Sequence, residues 1–435
     1  MLTKLHNIRN FLFNKLIAFR DSLRKLYQDY PRLFWIVVGV SFIDGVGGTM
    51  LFPFFALYIT QKFNVGMTEA GFLLGLMSLF GLFGGIIGGA LTDRFGRRNL
   101  ILFGLVFSAL STLTFGLVNK IIWMIPLVIV VGLIGHMSGP AHNAMIADIL
   151  PEEKRQEGFG ILRVVGNFAW IIGPTIGGLL AKSNFFSLFV IDAIISCIVA
   201  ALVFRLLPET KPDVKVEAGA LQAKPESIWK TVLGYGTVLR DMAFVAFIVA
   251  TMLMLAVYQQ MYGTLSVYLR DVHNINPQGY GFLMTASAIT VVIFQFFVSR
   301  WLRGKAPFLM MAFGTLFYMI GFAMFGFVAT YWLFAAAIVV ITIGEMIVVP
   351  VSQGLAANFA PEDMRGRYMA VFGLSWAIPS VVSLGLAGYI LDNFNPNLLW
   401  YMGGVLCALS ALSYYALHLR LGKRERFVPK PAATD

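Results

Sequence analysis

Apolar runs of about 20 or more residues with almost no charge recur along the whole chain, and nothing else constrains its fold as strongly. A helix rising 1.5 Å per residue needs about that many to cross a hydrocarbon core of roughly 30 Å. Inside lipid every backbone polar group must be satisfied internally, so only helices or a closed barrel can span it. These runs lack the short alternating segments of a barrel, which leaves helices. Twelve are expected, near 33–60, 68–91, 99–118, 121–149, 158–181, 185–206, 241–269, 278–301, 307–329, 331–358, 367–391 and 397–419. The expected fold is an all-α integral membrane protein of two six-helix bundles, 33–206 and 241–420. Only 13% of residues are charged, about half the share of a soluble domain.

The formal net charge of +11 does not point to nucleic acid, because the basic residues sit in short connections between apolar runs. They collect near 94–98, 154–155, 300–305, 365–367 and 420–430, and the intervening connections carry few. By the positive-inside rule both termini and the central loop then lie in the cytoplasm, with the chain in a cell or inner membrane. Residues 1–32 mix Leu, Ile and Phe with Lys and Arg at near-helical spacing and read as an amphipathic helix on the inner membrane face. They are too charged for the apolar core of a signal peptide. Residues 207–240 read as a cytoplasmic linker and 421–435 as a tail. Cys197 and Cys407 both fall inside apolar runs, where neither a disulfide nor a metal site is expected.

The two sets of six spans look duplicated. An ungapped shift of 210 residues places Tyr58 on Tyr268, Pro140 on Pro350, Pro151-Glu152 on Pro361-Glu362, Arg155 on Arg365 and Gly178 on Gly388. Parallel repeats of six spans suit a transporter that rocks about a site near mid-membrane.

Two motifs stand out against this frame. The first is Gly89-Ala90-Leu91-Thr92-Asp93-Arg94-Phe95-Gly96-Arg97-Arg98, between the second and third spans. Asp93, at a helix end, is placed to accept hydrogen bonds from a neighbouring helix N-terminus. Arg97 can pair with Asp148, and with Arg94 and Arg155 these residues form a candidate latch between helices. The equivalent stretch 210 residues on, Arg303-Gly304-Lys305, keeps the charge but lacks the acid. The second motif is Gly173-Pro174-Thr175-Ile176-Gly177-Gly178 in the fifth span, where small residues allow close helix packing.

Together with the twelve spans and the repeat, these motifs resemble the major facilitator superfamily, in its twelve-helix drug:proton antiporter branch. The first is similar to that family's signature between helices two and three, and the second to the antiporter signature. The resemblance implies alternating access, with the first loop locking the cytoplasmic side in the outward-open state. One departure is visible: the fourth span lacks the arginine that many drug antiporters carry there.

Ionisable groups within apolar runs are costly, about 2.5–3.5 kcal/mol each on insertion scales. Asp44 lies near the middle of the first span and leads a helix face with Gly47, Gly48, Leu51, Phe55 and Tyr58. Glu345 sits in the tenth, five residues before Pro350 and eight before Gln353, and its repeat position adjoins His136. Acids in opposite halves of a central cavity suit proton exchange against a cationic substrate. Arg163 either pairs with Asp44 or binds an anionic group. Asp192, in the sixth span, has no counterpart in the repeat and is either a second coupling acid or a group near the outer surface. Asn143, Gln259, Gln260, Gln353, Tyr58, Tyr258 and Trp376 are the other candidate cavity residues, the aromatic ones through cation–π contact.

No phosphate-binding loop, metal-ligand spacing or nucleophile elbow is present, so no cofactor or enzymatic activity is expected. The expected partners are a small-molecule substrate, protons and the bilayer, with the chain a monomer. The expected function is proton-coupled export of lipophilic cations. The alternative is symport or facilitated diffusion of a specific sugar, organic anion or lipid.

Overall fold

The structure is a computed structural model and describes residues 20, 24–211, 236–361 and 364–427, apart from the side chains of Asp93 and Glu425. The amphipathic reading of 1–32 and the linker reading of 207–240 fall largely outside these. Among the described residues there are twelve helices long and apolar enough to span a membrane, and no strands. The N-terminal half holds α1 (Arg32–Phe63), α2 (Met67–Phe95), α3 (Arg97–Leu117), α4 (Ile121–Ile149), α5 (Glu152–Ser183) and α6 (Phe185–Leu206). The C-terminal half holds α7 (Met242–Gly263, extended by Leu265–His273), α8 (Pro277–Leu302), α9 (Pro307–Phe325), α10 (Tyr331–Phe359), α11 (Arg365–Asn393) and α12 (Asn397–Leu421). Short connections alternate between two ends of the bundle, here the basic face (with the 94–98 loop) and the far face.

Proline accounts for two interruptions. The helix α1 tightens to a single 3-10 turn at Phe52–Phe54 around Pro53, and α4 breaks at residues 136–137, where Pro140 cannot donate to the residue 136 carbonyl.

The 210-residue shift holds as geometry. Tyr58 donates its hydroxyl to Phe115 O at 2.6 Å, and Tyr268 donates to Phe325 O at 2.8 Å. Asn64 and Asn274 end α1 and the α7 extension in the same left-handed conformation, with φ of 51° and 54°. Some related residues touch each other: Arg270 Nη1 donates to Thr60 Oγ1 at 3.0 Å, and the Phe52 and Tyr262 rings lie 6.2 Å apart. Two copies of one position meet only on a two-fold axis, so a pseudo-two-fold runs between α1 and α7.

Two seams join the halves, α2 against α11 and α5 against α8. A methyl on Gly388 would stand 2.3 Å from Met67 O, and one on Gly178 would stand 2.9 Å from Pro277 O. The next turn repeats the contact, Gly71 with Leu384 O at 2.3 Å and Gly281 with Pro174 O at 2.4 Å. On a third rung Gly75 meets Val381 O at 2.3 Å, and at the related position Thr285 Oγ1 donates to Ile171 O at 3.3 Å. All three rungs lie toward the far face. Toward the basic face on the same helices, a methyl on Gly89, Gly166 or Gly373 would meet nothing within 4 Å. The halves therefore touch at the far face and part toward the basic face.

Candidate functional site

Within the N-terminal half α1, α3, α4 and α6, with Met77 of α2, line a partly open cavity of about 600 Å³. Glycine creates much of the space, since a methyl on Gly48 or Gly139 would meet nothing within 4 Å. Asp44 opens into it beside Asn143, Phe52 and Phe55. Two further residues share the cavity: Asp192 on α6, expected as a second coupling acid or as a group near the outer surface, and His142 on α4, which the pattern of the spans does not single out. His142 Nε2 lies 2.8 Å from Ser41 Oγ, and Asp192 Oδ2 accepts from Thr112 Oγ1 at 3.0 Å. Asp192 is only 6% exposed, and Asp44 is close enough for each charge to act on the other. No Lys or Arg lines this cavity among the described residues.

Glu345 belongs to a different environment. It lies within electrostatic range of Tyr258, Tyr262 and Tyr318, and of Arg163, which is on α5 of the other half. Tyr258 bonds the Tyr262 hydroxyl at 3.1 Å, and its ring packs against Tyr318 at 5.6 Å and edge-on to Trp376 at 6.1 Å. Tyr262 reaches Trp170 on α5 at 5.1 Å, so this aromatic cluster joins the halves. Arg163 is exposed and lies within electrostatic range of Glu345, and no ion pair or hydrogen bond joins it to Asp44 among the described residues.

Several expected cavity residues are placed elsewhere. Tyr58 is buried, its hydroxyl committed to Phe115 O and its ring to Phe189 at 4.5 Å. Gln259 and Gln260 donate to Ser380 at 2.7 Å and Ser383 at 3.1 Å, fastening α7 to α11. His136 turns back onto Gly132 O at 3.1 Å and packs against Gly81. Gln353 is exposed on α10. Helical spacing can assign these residues a depth, but which neighbouring helix takes each polar group depends on tertiary packing.

The Gly173-Pro174 motif packs two ways. A methyl on Gly173 would strike Thr49 Oγ1 at 2.0 Å and one on Gly177 would strike Met50 O at 2.3 Å, both on α1. Pro174 and Gly178 instead face α8. One motif thus holds α5 against its own half and against the opposite one.

At the basic face Arg97 Nε donates to Asp148 Oδ2 at 2.9 Å. Arg155 Nε caps the end of α4 through Ala147 O at 3.1 Å and Leu150 O at 3.3 Å, while Arg94 lies over the Phe95 ring at 5.4 Å. The carboxylate that caps the N-terminus of α3 is Glu209, from the stretch after α6; it accepts from the N–H groups of Arg97 at 2.8 Å and Arg98 at 3.1 Å. Burial alone would raise its pKa, but N–H donors from Lys211, Arg97, Arg98 and Thr210 outweigh that and hold it below the usual value. Gly96 permits the approach: its φ is +91°, and a methyl there would lie 2.4 Å from Glu209 Oε2. The expected helix-terminus role of Asp93 lies on a side chain outside the described ones. The described contacts of this cluster run among helices of the N-terminal half.

The family model of the Major Facilitator Superfamily matches residues 37–303 and 259–434. The chain is 28% identical over 378 residues to a Na(+), Li(+), K(+)/H(+) antiporter of Planococcus maritimus, covering 82% of this chain and 89% of that protein. It is 24% identical over 379 residues to the multidrug resistance protein MdtH of Citrobacter koseri, covering 85% and 90%. Among solved structures, a POT family transporter in complex with 5-aminolevulinic acid has the same fold at a TM-score of 0.76 and 15% identity, covering 90% of this chain and 96% of that one. The nucleoside transporter NupG matches at 0.71 and 15%, covering 89% and 99%. With its two six-helix halves, pseudo-two-fold axis and matching family model, the chain belongs to the major facilitator superfamily.

Proposed function

We propose that this protein is a proton-coupled antiporter that exports small cations by alternating access. The observation that carries this reading is the placing of acids in both halves: Asp44 in a cavity without a lining Lys or Arg, and Glu345 in the aromatic cluster that joins the halves. A carboxylate held at membrane depth, away from any Lys or Arg, needs its charge compensated. A proton and a cationic substrate are alternative ways to compensate it, and alternation between them is exchange. One relative named above supports proton-coupled antiport of a cation by its Na(+), Li(+), K(+)/H(+) antiporter name, and the other, with its multidrug resistance name, supports small-molecule cargo.

The positive-inside rule puts the basic face in the cytoplasm. The conformation described, open toward that face, is then the inward-open one, and export proceeds by closing it and parting the far-face seams. The Gly173-Pro174 motif fits this role because it ties the α5–α8 seam to the packing of α1.

One observation favours a second reading. Arg163 stands open beside Glu345, where it would suit an anionic substrate group, as in symport of a specific metabolite. The sign of coupling decides between the two. In proteoliposomes with an imposed pH gradient, antiport moves a cationic dye against the direction of proton flow, and Asp44→Asn or Glu345→Gln lowers that flux at least ~10-fold. Co-directional movement, or wild-type coupling in both variants, would reject the antiport reading.

A further inference from the structure

The cavity in the N-terminal half is chemically unlike the Glu345 environment. Glu345 is surrounded by tyrosines and an opposing arginine, whereas Asp192 is surrounded by oxygen donors. Ser108 and Thr112 on α3 stand one turn apart, and Asp192 and Ser196 on α6 face them with the same four-residue spacing.

The Thr112 hydroxyl has two acceptors for its one proton: Ser108 O at 2.7 Å and Asp192 Oδ2 at 3.0 Å. Whenever it donates to Ser108 O, two oxygens face each other at 3.0 Å with no hydrogen between them. That contact is favourable only with a proton on the carboxyl or with a cation that both oxygens ligate. The second carboxylate oxygen, Oδ1, faces the α1 backbone at Gly47, where a methyl would stand 2.6 Å away, and it accepts no hydrogen bond among the described residues.

The other titratable groups lining the cavity are Asp44 on α1 and His142 on α4; the lining residues of α2 and α3 add none. His142 is engaged by Ser41. Two carboxylates therefore share a space in which no fixed cation balances them. Hard oxygen donors of this kind, carboxylate and hydroxyl with no thiol, suit a hard cation.

We infer that the cavity lined by α1, α3, α4 and α6 is a binding site for a monovalent alkali cation, held by Asp192, Thr112 and Asp44, for which protons compete. This deepens the antiport reading and rests on it for the direction of exchange, since proton entry at the same carboxylates expels the cation. The binding itself needs no gradient and is tested alone.

The test uses the purified full-length protein in detergent, unfolded by heat in NaCl, LiCl or KCl and in N-methyl-D-glucamine chloride at equal ionic strength. A ligand that binds only the folded state raises the melting temperature with concentration. The site requires an alkali-specific rise that shrinks as pH falls. In Asp192→Asn and Thr112→Val the apparent Kd rises ~10-fold or more, the worth of one charge-assisted contact.

A third variant keeps the test decisive if those two fold poorly. Gly48→Leu places its side chain at the cavity wall, where a methyl would meet nothing within 4 Å, and it should abolish the alkali-specific rise. Equal stabilisation by N-methyl-D-glucamine, preference for ethylammonium over every alkali ion, or wild-type binding in both Asp192→Asn and Gly48→Leu would overturn the assignment. Alkali binding that survives while gradient-driven flux is absent counts against the antiport reading and leaves the site standing.

Discussion

The two seams between the halves are copies of one another in register, yet they close differently at the far face. Position 276 begins α8 with an asparagine whose side chain accepts from Gly279 N at 2.9 Å, so α8 caps itself. The related position in front of α2 is Gly66, which has no side chain to offer. Its helix takes a cap from the other half: Asp392, at the end of α11, accepts from Met67 N at 2.9 Å and Thr68 N at 2.7 Å, and also from the Thr68 hydroxyl. The residue related to Asp392 is Lys182, which donates only to Gln278 at 3.2 Å. A cap on its own helix survives separation of the halves, whereas a borrowed cap is lost. The α2–α11 seam therefore carries a charged lock that the α5–α8 seam lacks, and the shared glycine rungs underneath set the closeness of both.

The largest effect should come from the rungs. Gly71→Val and Gly281→Val each drive a side chain onto a carbonyl of the helix across the same seam. Overpacking of that kind costs about 1–3 kcal/mol, enough to lower the far-face-closed population roughly 5- to 160-fold. Cysteine cross-linking across each seam would measure it, and similar losses in the two variants are expected if the seams are equivalent at this level.

Next in size is Asp392→Ala. Loss of a helix cap costs about 1 kcal/mol, or roughly fivefold in population toward the far-face-open state. Lys182→Met at the related position should shift the same equilibrium by less than about twofold, because an exposed polar contact contributes little. Equal effects of the two would remove the asymmetry. Gly66→Asn sharpens it further by giving α2 the cap that α8 has and filling the space that Asp392 occupies, 2.4 Å from where a methyl would sit. In that background Asp392→Ala should become nearly silent, a coupling read from a double-mutant cycle.

The smallest effect concerns Glu209, a borrowed cap inside one half. Its folded pKa lies below the ordinary value of 4.5, so its contribution is complete above that pH and is lost as pH falls through the lowered folded value. Thermal unfolding between about pH 6 and about pH 3 should lose stability less steeply in Glu209→Gln than in wild type. Because this cap does not cross the halves, the variant should leave the far-face equilibrium unchanged.

Much of the scaffold was legible in the sequence because its signals are local or periodic. Span length, the basic connections and the 210-residue shift need no tertiary knowledge, and the shift proved ungapped down to single carbonyl contacts. Asp44 and Glu345 were visible as charges that apolar runs do not tolerate freely. What stayed hidden was partnership. Asp192 sits late in no motif and has no counterpart acid, His142 lay beside the more central His136, and Glu209 and Asp392 reach helices distant in sequence. Tyr58 looked like cavity lining by depth alone, but a buried hydroxyl bonds whichever carbonyl the neighbouring helix presents.

The proposed alternating access requires the far-face seams to close in one state and part in the other. In a variant lacking Cys197 and Cys407, spin labels at Glu69 and Asn393 report the far face, and labels at Glu153 and Arg303 report the basic face; all four positions are exposed. Distance distributions by pulsed electron resonance should show two populations at each pair. Lowering pH or adding cation should shift the two pairs in opposite directions, one widening as the other closes, and Asp392→Ala should favour the wider far-face distance. A single far-face distance under every condition, or both faces widening together, would contradict it.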